Sequence, residues 1–286
     1  MGERLFIGLQ HVLPQHLVSR LVHWLARVEA RWFSRRFIRV FARAFKVDMS
    51  DAEQPSLDSY PTFNAFFTRS LRPDARPLDD APDAVLCPVD GTISQAGPIE
   101  NGMLLQAKGS QFSLQSLLGN DAELAQQLDG GTFATIYLAP YNYHRIHMPL
   151  AGTTQSMRLV PGRLFSVNAV TARRVPGLFA RNERVVCNFT TPAGPMAMVL
   201  VGAINVGSIE TVWAGEVTPG GGRDVRTWAY GLSDDNATTL DAGAEMGRFN
   251  MGSTVIVAFP PGAVVLEHSM TPGTTVRMGE RLGHCV

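Results

Sequence analysis

Three short clusters in the sequence carry residue types that can do nucleophilic and acid–base chemistry. Asp90 stands in a Pro-Val-Asp-Gly-Thr run, His144 and His147 stand three apart in a tyrosine-rich run, and Ser253 follows Gly252 just before an apolar stretch. A serine hydroxyl becomes a nucleophile when a base removes its proton and an acid orients that base. The clusters therefore predict Ser253 as a nucleophile, His147 as its base and Asp90 as the orienting acid.

Each cluster also has an ordinary structural interpretation when it is considered alone. Asp-Gly and Gly-Ser-Thr are typical of turns, and two histidines three apart are more often structural than catalytic. A metal site would need a third ligand, and no cysteine or acid lies next to His144 and His147 in the sequence. We therefore predict no metal site.

Two functional alternatives stay open on the residues alone. The first is a membrane-bound serine hydrolase acting on lipids or peptides through Asp90, His147 and Ser253. The G-x-S-x-G elbow of many hydrolases is absent, because Val255 occupies its last position. The second alternative is a non-catalytic, lipid-binding β module with a helical membrane tether.

The chain after residue 73 is a series of short apolar runs separated by Gly, Pro, Asn and Asp, which predicts an antiparallel, mostly β body. Residues 114–128 are predicted as an exposed helix, and residues 274–283 as a strand–turn–strand hairpin similar to the turn of barrel-sandwich folds. The apolar runs that we predict as strands are Phe133–Leu138, Met157–Leu159, Val185–Phe189, Met196–Val201, Ser208–Val212 and Thr254–Phe259.

The first 50 residues have a different character, because helical apolar stripes alternate there with arginine. Residues 14–46 predict two helices, and residues 61–71 a further short one. Large aromatic side chains beside arginines are typical of helices that lie in a membrane interface, where anionic lipid attracts the basic groups. The alternative is a pair of ordinary helices that pack on the body with a solvated charged face.

Composition and charge narrow the class of protein further. The 286 residues are 45% hydrophobic and 17% charged, which excludes a disordered chain and a coiled coil. Residues 1–50 hold nine of the 25 Lys and Arg residues but three of the 25 Asp and Glu residues, so this segment is basic. No recognition motif for nucleic acid accompanies that charge. The three cysteines are far apart and odd in number, which favours a reducing compartment.

Several motifs, in order along the chain, resemble those of the phosphatidylserine decarboxylases, bacterial membrane enzymes that carry a pyruvoyl group made from their own chain. The similarity covers essentially all of residues 60–286, whereas the first 50 residues match in character only. Met251 stands where relatives often carry Leu. The matching motifs are FFTRSLRPDARP (66–77), PVDGTIS (88–94), YNYHRIHMPL (141–150), GRLFSVN (162–168), LFARNERV (178–185), VGAINVGSI (201–209) and EMGRFNMGSTVIVAF (245–259).

The resemblance implies a specific chemistry at these residues. The Gly252–Ser253 bond would break without a protease, through attack of the Ser253 hydroxyl on the Gly252 carbonyl, with His147 as base and Asp90 as the acid that orients it. Ser253 would become a pyruvoyl group, the one cofactor, which serves as an electron sink for decarboxylation. The resemblance also implies that His144 donates the proton that quenches the carbanion.

The resemblance further implies how the protein is organised. We expect a helical membrane-associating region at residues 1–59 and a β-rich catalytic domain at 60–286, with self-cleavage into a β chain of residues 1–252 and an α chain of residues 253–286. The enzyme would convert phosphatidylserine to phosphatidylethanolamine as a peripheral protein on the cytoplasmic face of the cell membrane. Expected partners are phosphatidylserine, anionic lipids and the two chains of one precursor; a homodimer stays open, and no nucleic acid is expected.

Overall fold

The structure is a computed structural model, which describes residues 7–8, 10–107, 109–204, 208–218, 222–231, 237–251 and 254–286. Two long helices come first and are followed by a body of short strands and short helices, as predicted. The helices are α1 (Gln15–Ala26), α2 (Arg31–Phe45), α3 (Phe63–Phe67), α4 (Leu114–Leu117), α5 (Ala122–Leu128), α6 (Ala169–Arg174) and α7 (Leu178–Arg181), with a 3₁₀ turn at Leu57–Ser59.

The body is built from strands that pair with antiparallel neighbours, which confirms the predicted fold class. The strands are β1 (Ala84–Leu86), β2 (Gly91–Pro98), β3 (Met103–Ala107), β4 (Ser110–Ser113), β5 (Thr132–Tyr137), β6 (Arg145–His147), β7 (Gly152–Val160), β8 (Arg184–Thr191), β9 (Gly194–Val201), β10 (Ile209–Thr211), β11 (Gly215–Glu216), β12 (Arg226–Ala229), β13 (Thr239–Leu240), β14 (Glu245–Phe249), β15 (Thr254–Phe259), β16 (Val264–Leu266), β17 (Thr275–Val276) and β18 (Arg281–Cys285).

A nine-stranded sheet forms the centre of the body, in the order β12-β7-β8-β9-β15-β5-β2-β17, with β13 also paired to β7. Both of its faces are buried. Along β15, Val255 and Val257 belong to one hydrophobic core and Ile256 and Ala258 to the other. The first core is closed by the small sheets β1-β18-β16 and β11-β10-β14-β6, and the second by α4 to α7. A strand buried on both faces is continuously apolar, as the sequence of β15 is.

A third, aromatic core joins the N-terminal helices to the body. Ile38 and Ala42 of α2 pack there with Phe63, Phe66 and Phe67 of α3. Phe37 stacks on Phe63 with ring centroids 4.4 Å apart. Because this core lies on both sides of the predicted boundary at residues 59 and 60, the helical region is packed on the catalytic body and not merely tethered to it. The boundary itself stays a prediction.

Two local predictions were wrong. Residues 114–128 form two short helices, α4 and α5, because Gly119 and Asn120 adopt positive φ angles of 70° and 62° and end the first helix. They are not an exposed helix either, since Leu117 and Leu128 are fully buried.

The predicted hairpin at residues 274–283 is a strand, a turn and a strand, but the two strands do not pair with each other. Instead, β17 pairs with β2 of the central sheet, and β18 lies between β1 and β16. The turn between them therefore bridges two sheets.

Candidate active site

The predicted cleavage bond lies between two well-defined flanks. Gly252 and Ser253 themselves are outside the described residues. Before them, β14 ends at Phe249, whose N–H donates to the carbonyl of His144 at 3.0 Å. After them, β15 begins at once with Thr254, which is fully buried. The strand that precedes the predicted cleavage bond therefore lies next to His144.

Met251 has an unusual backbone conformation on the N-terminal flank. Its φ angle is +143°, a region that non-glycine residues adopt at a cost of about 1–3 kcal/mol. Its side chain packs against the aromatic core formed with α2 and α3. The residue that precedes Gly252 is therefore strained and held by packing.

His147 lies on β6 with both ring nitrogens hydrogen-bonded. Nδ1 is 2.7 Å from the carbonyl oxygen of Gly243, and Nε2 is 3.0 Å from the hydroxyl of Tyr143. A carbonyl can only accept, so Nδ1 carries the hydrogen and the Tyr143 O–H donates to Nε2. Burial lowers the pKa of His147 below its ordinary value, so the imidazole is neutral and able to accept a proton.

Asp90 is held by other groups. Its carboxylate accepts from Arg76 at 2.6 Å (Nη2 to Oδ2) and 2.9 Å (Nε to Oδ1), and from the backbone N–H of Met278 at 2.9 Å. Among the described residues no hydrogen bond joins Asp90 to His147, whose ring nitrogens have other partners, and the role of Asp90 stays a prediction. The Gly243 carbonyl orients the imidazole instead. Asp90 still favours the charged form of His147 through its electrostatic field.

His144 is fully buried and stacks on Phe67, with ring centroids 4.1 Å apart. Neither ring nitrogen has a hydrogen-bond partner within the part of the chain that the structure describes. Burial, and secondarily the nearby charge of Arg69, lowers the pKa of His144 to about 3, although the backbone at Ala139 and Pro140 favours its charged form. This histidine is therefore neutral at pH 7, with unused donor and acceptor capacity.

A cavity of about 280 Å³ adjoins the cleavage segment. It is large enough for part of a small-molecule ligand and is open to solvent on one side. Its lining comes from α2, α3, the end of β5 and the residues after it, the loop at residues 166–168, residues 203–204, and the residue before Gly252. The side chains that define it include Phe41, Phe45, Phe67, Tyr137, Ser166 and Met251.

Helix α1 exposes large apolar side chains and buries two polar ones, the reverse of a helix that only packs on a body. In α1, Gln15 and Ser19 are 4% and 6% exposed, whereas Leu17, Leu21 and Trp24 are 65%, 55% and 64% exposed. Gln15 accepts from the backbone N–H of Leu164, next to the cavity loop. Such an outward apolar face is typical of a contact with a membrane or a partner.

The basic residues of α2 are not equivalent. Arg39 forms an ion pair with Asp58 at 2.8 Å, and Arg35 lies 3.8 Å from the same carboxylate. Arg36 and Arg43 are exposed and remain available for an anionic surface. Among the described residues, no helix is both long and apolar enough to cross a bilayer.

Sequence reasoning missed four groups of this site. Arg76 and Tyr143 belong to motifs that were singled out, so a search for polar residues within those motifs could have found them. The Gly243 carbonyl and the Met278 N–H are backbone atoms, and nothing in the sequence marks them.

Comparison with known proteins shows which family the chain resembles. A family model described as phosphatidylserine decarboxylase matches residues 63–284, and one described as PSD matches residues 5–46. The chain is 56% identical to a phosphatidylserine decarboxylase proenzyme of Pseudomonas putida over 282 residues, which is 99% of this chain and 98% of the relative. Proteins of the same name from Ectopseudomonas mendocina and Pseudomonas aeruginosa are 55% and 56% identical, over 99% and 98% of this chain and 99% and 96% of the relatives.

Proposed function

The chain belongs to the phosphatidylserine decarboxylase family and is a decarboxylase of that family, and on this basis we propose that it makes its own pyruvoyl group by breaking the Gly252–Ser253 bond. The relatives are named proenzymes, which supports a processing step. The structural observation that carries the proposal is the strained Met251, which lies beside the cavity and directly before Gly252. The family assignment favours this chemistry over a serine hydrolase or a non-catalytic lipid-binding module.

In the proposed self-cleavage, the Ser253 hydroxyl attacks the Gly252 carbonyl and its proton passes to His147. The amide C–N bond breaks, an ester takes its place, and the freed nitrogen takes up a proton. Elimination of the ester then leaves Gly252 as a carboxylate and residue 253 as dehydroalanine, and water converts the latter to a pyruvoyl group with release of ammonia. His147 suits the role of base, because burial keeps it neutral and Gly243 fixes its tautomer.

Tyr143 has a specific consequence for this step. Its hydroxyl occupies Nε2 of His147, the nitrogen that carries a free lone pair. The proton of Ser253 must therefore reach His147 through the Tyr143 oxygen, or Tyr143 must turn away first. In either case Tyr143 influences the basicity of His147, because a donor on Nε2 stabilises the neutral imidazole.

The residues on either side of the predicted cleavage bond fit a site for a pyruvoyl group. The cavity beside Met251 leaves room for a substrate head group. Phe67, which lines this cavity, stacks on His144, whose ring nitrogens have no hydrogen-bond partner among the described residues. The pyruvoyl group supplies an electron sink that stabilises the carbanion left by loss of carbon dioxide. In this proposal, His144 donates the proton that quenches the carbanion. A substrate carboxylate in the site would raise the pKa of His144 from its low resting value and so bring the proton where it is needed.

The proposed substrate is phosphatidylserine, and the proposed product is phosphatidylethanolamine. We place the enzyme on the cytoplasmic face of the cell membrane as a peripheral protein, held by the exposed apolar face of α1 and by the free arginines of α2. Phe41 and Phe45 of α2 line the cavity, so the helices that would meet the lipid surface also border the site. The proposed partners are anionic lipids and the two fragments of one precursor; a homodimer stays a prediction.

Intact mass spectrometry under denaturing conditions tests the self-cleavage. We expect two fragments, residues 1–252 and 253–286, with the second blocked at its N-terminus by a pyruvoyl group. Its mass should lie below that of the serine form by the difference between serine and pyruvate. A free serine amino terminus would indicate ordinary proteolysis and contradict the proposal.

A further inference from the structure

The carboxylate of Asp90 is bound on both oxygens by a single arginine. Arg76 donates from Nη2 to Oδ2 at 2.6 Å and from Nε to Oδ1 at 2.9 Å, the bidentate geometry that fixes a carboxylate in position as well as pairing its charge. Oδ1 also accepts from the N–H of Met278, which lies in the turn between β17 and β18. The Asp90 side chain thus connects two parts of the precursor that would become separate chains.

Arg76 is itself held on its far side. Its Nη1 donates to Asp51 at 2.8 Å and to the carbonyl of Ala75 at 2.6 Å. The side chains of Arg76 and Asp90 are 10% and 8% exposed, so the pair lies out of bulk water. Asp51 also lies 4.0 Å from Arg72, so two carboxylates and two guanidinium groups balance in charge. Hydrogen bonding to Asp90 raises the pKa of Arg76, which therefore stays charged.

The charge of Asp90 reaches the base without direct contact. Its field favours the protonated form of His147, the form created when His147 accepts the serine proton. That stabilisation depends on where the charge of Asp90 lies, so the carboxylate must be held in position, and removing one partner of a buried ion pair leaves the other charge uncompensated.

We propose that Arg76 is the positioning residue for self-cleavage: it pairs with the buried carboxylate of Asp90 and fixes it in place, so that Asp90 stabilises the imidazolium of His147. This inference rests on the proposed role of Asp90 and extends it to a residue that acts through Asp90. Among the described residues, Asp90 also interacts electrostatically with Arg69, Cys87, Tyr143 and His147. Asp51 lies on the far side of Arg76, and Arg145 and Glu245 also act on His147. Arg76 differs from the other cations, Arg69 and Arg145, because it is in hydrogen-bond contact with Asp90.

The test is the rate of self-cleavage in Arg76→Gln. Full-length chains are synthesised in a cell-free system, and conversion to two fragments is followed by denaturing electrophoresis. Without the guanidinium, the Asp90 carboxylate loses its bidentate partner and keeps the N–H of Met278. Since a displacement of about 1 Å can cost about 100-fold in rate, we expect cleavage of Arg76→Gln to slow by about that factor relative to the wild type.

Three further variants make the result specific. Arg72→Gln is the matched control, because Arg72 belongs to the same segment and lies 4.0 Å from Asp51 but makes no ion pair with Asp90 among the described contacts; it should cleave as the wild type does. Arg76→Lys keeps the positive charge and should restore most of the rate. Asp90→Asn removes the negative charge and should cleave slowly.

The outcomes separate this inference from the function on which it rests. Wild-type cleavage in Asp90→Asn would remove Asp90 from the reaction and end the premise. Slow Asp90→Asn with an unaffected Arg76→Gln would overturn the role of Arg76 alone. A uniform loss of rate in both Arg76 variants, matched by a lower melting temperature, would assign Arg76 a merely structural role and also overturn the inference.

Discussion

The outward face of α1 offers the sharpest test of the membrane contact. Leu17, Leu21 and Trp24 are 65%, 55% and 64% exposed, so each contributes little to the packing of the protein. Changing all three to Gln removes their apolar surface and keeps good helix-forming residues in place. We expect binding to lipid vesicles to weaken while the melting temperature stays within a few degrees of the wild type.

The size of the effect follows from the exposed fractions. Full burial of a large apolar side chain is worth about 1.5–3 kcal/mol, so moving the exposed part of each residue into lipid is worth about 1–2 kcal/mol. The lower limit for the three residues is about 3 kcal/mol, and since 1.4 kcal/mol corresponds to a factor of ten, the partition coefficient should fall about 100-fold.

Flotation with zwitterionic phosphatidylcholine vesicles measures this change without a contribution from the arginines. The matched control changes Val225, Val265 and Val286 to Gln; these side chains are 42%, 46% and 83% exposed and lie on the β body. The control should float as the wild type does. Unchanged flotation of the α1 variant would refute the membrane contact, and a large drop in its melting temperature would show that this face is packed in solution.

Further predictions concern the chemistry of the site. Ser253→Ala should give a single uncut chain on denaturing electrophoresis and no release of carbon dioxide, because nucleophile and cofactor precursor are the same residue; a cut chain would disprove that identity. His144→Ala should still self-cleave but lose about 10²–10⁴-fold in lipid turnover, the usual size of a general acid–base contribution; full turnover in processed protein would require another donor. Since burial lowers the pKa of His147, the neutral base should persist, and cleavage of the wild type continue, at pH values below the ordinary histidine pKa. Tyr143→Phe removes the donor that stabilises the neutral ring, so the acidic limit of cleavage should move to higher pH, and an unmoved limit would exclude Tyr143 from contact with the reacting base. Replacing the exposed arginines of the helical region should weaken binding to anionic vesicles and make it less sensitive to salt; the residues to change to Gln are Arg31, Arg36 and Arg43.

The sequence alone predicts the elements whose pattern is local. The helix α1 and the strands β5, β8, β9 and β15 are predicted correctly, because helical periodicity, apolar runs and turn residues mark the type of an element within a short stretch of sequence. The family resemblance, carried by motifs spread over most of the chain, indicates the chemistry in the same way. These signals are contained in short stretches of chain, so no tertiary information is needed to find them.

Only the tertiary structure shows which groups from distant parts of the chain lie in contact. The stripe of α1 faces outward while Gln15 faces inward, and periodicity does not say which side of an amphipathic helix the body will occupy. Residues 274–283 look like a hairpin, yet β17 and β18 join different sheets, because pairing depends on which edges lie nearby. Asp90 and His147 were paired by analogy with other serine nucleophiles. In the folded chain, Arg76, the Met278 N–H and the Gly243 carbonyl lie nearer to them, and a buried carboxylate or imidazole bonds to the groups that surround it.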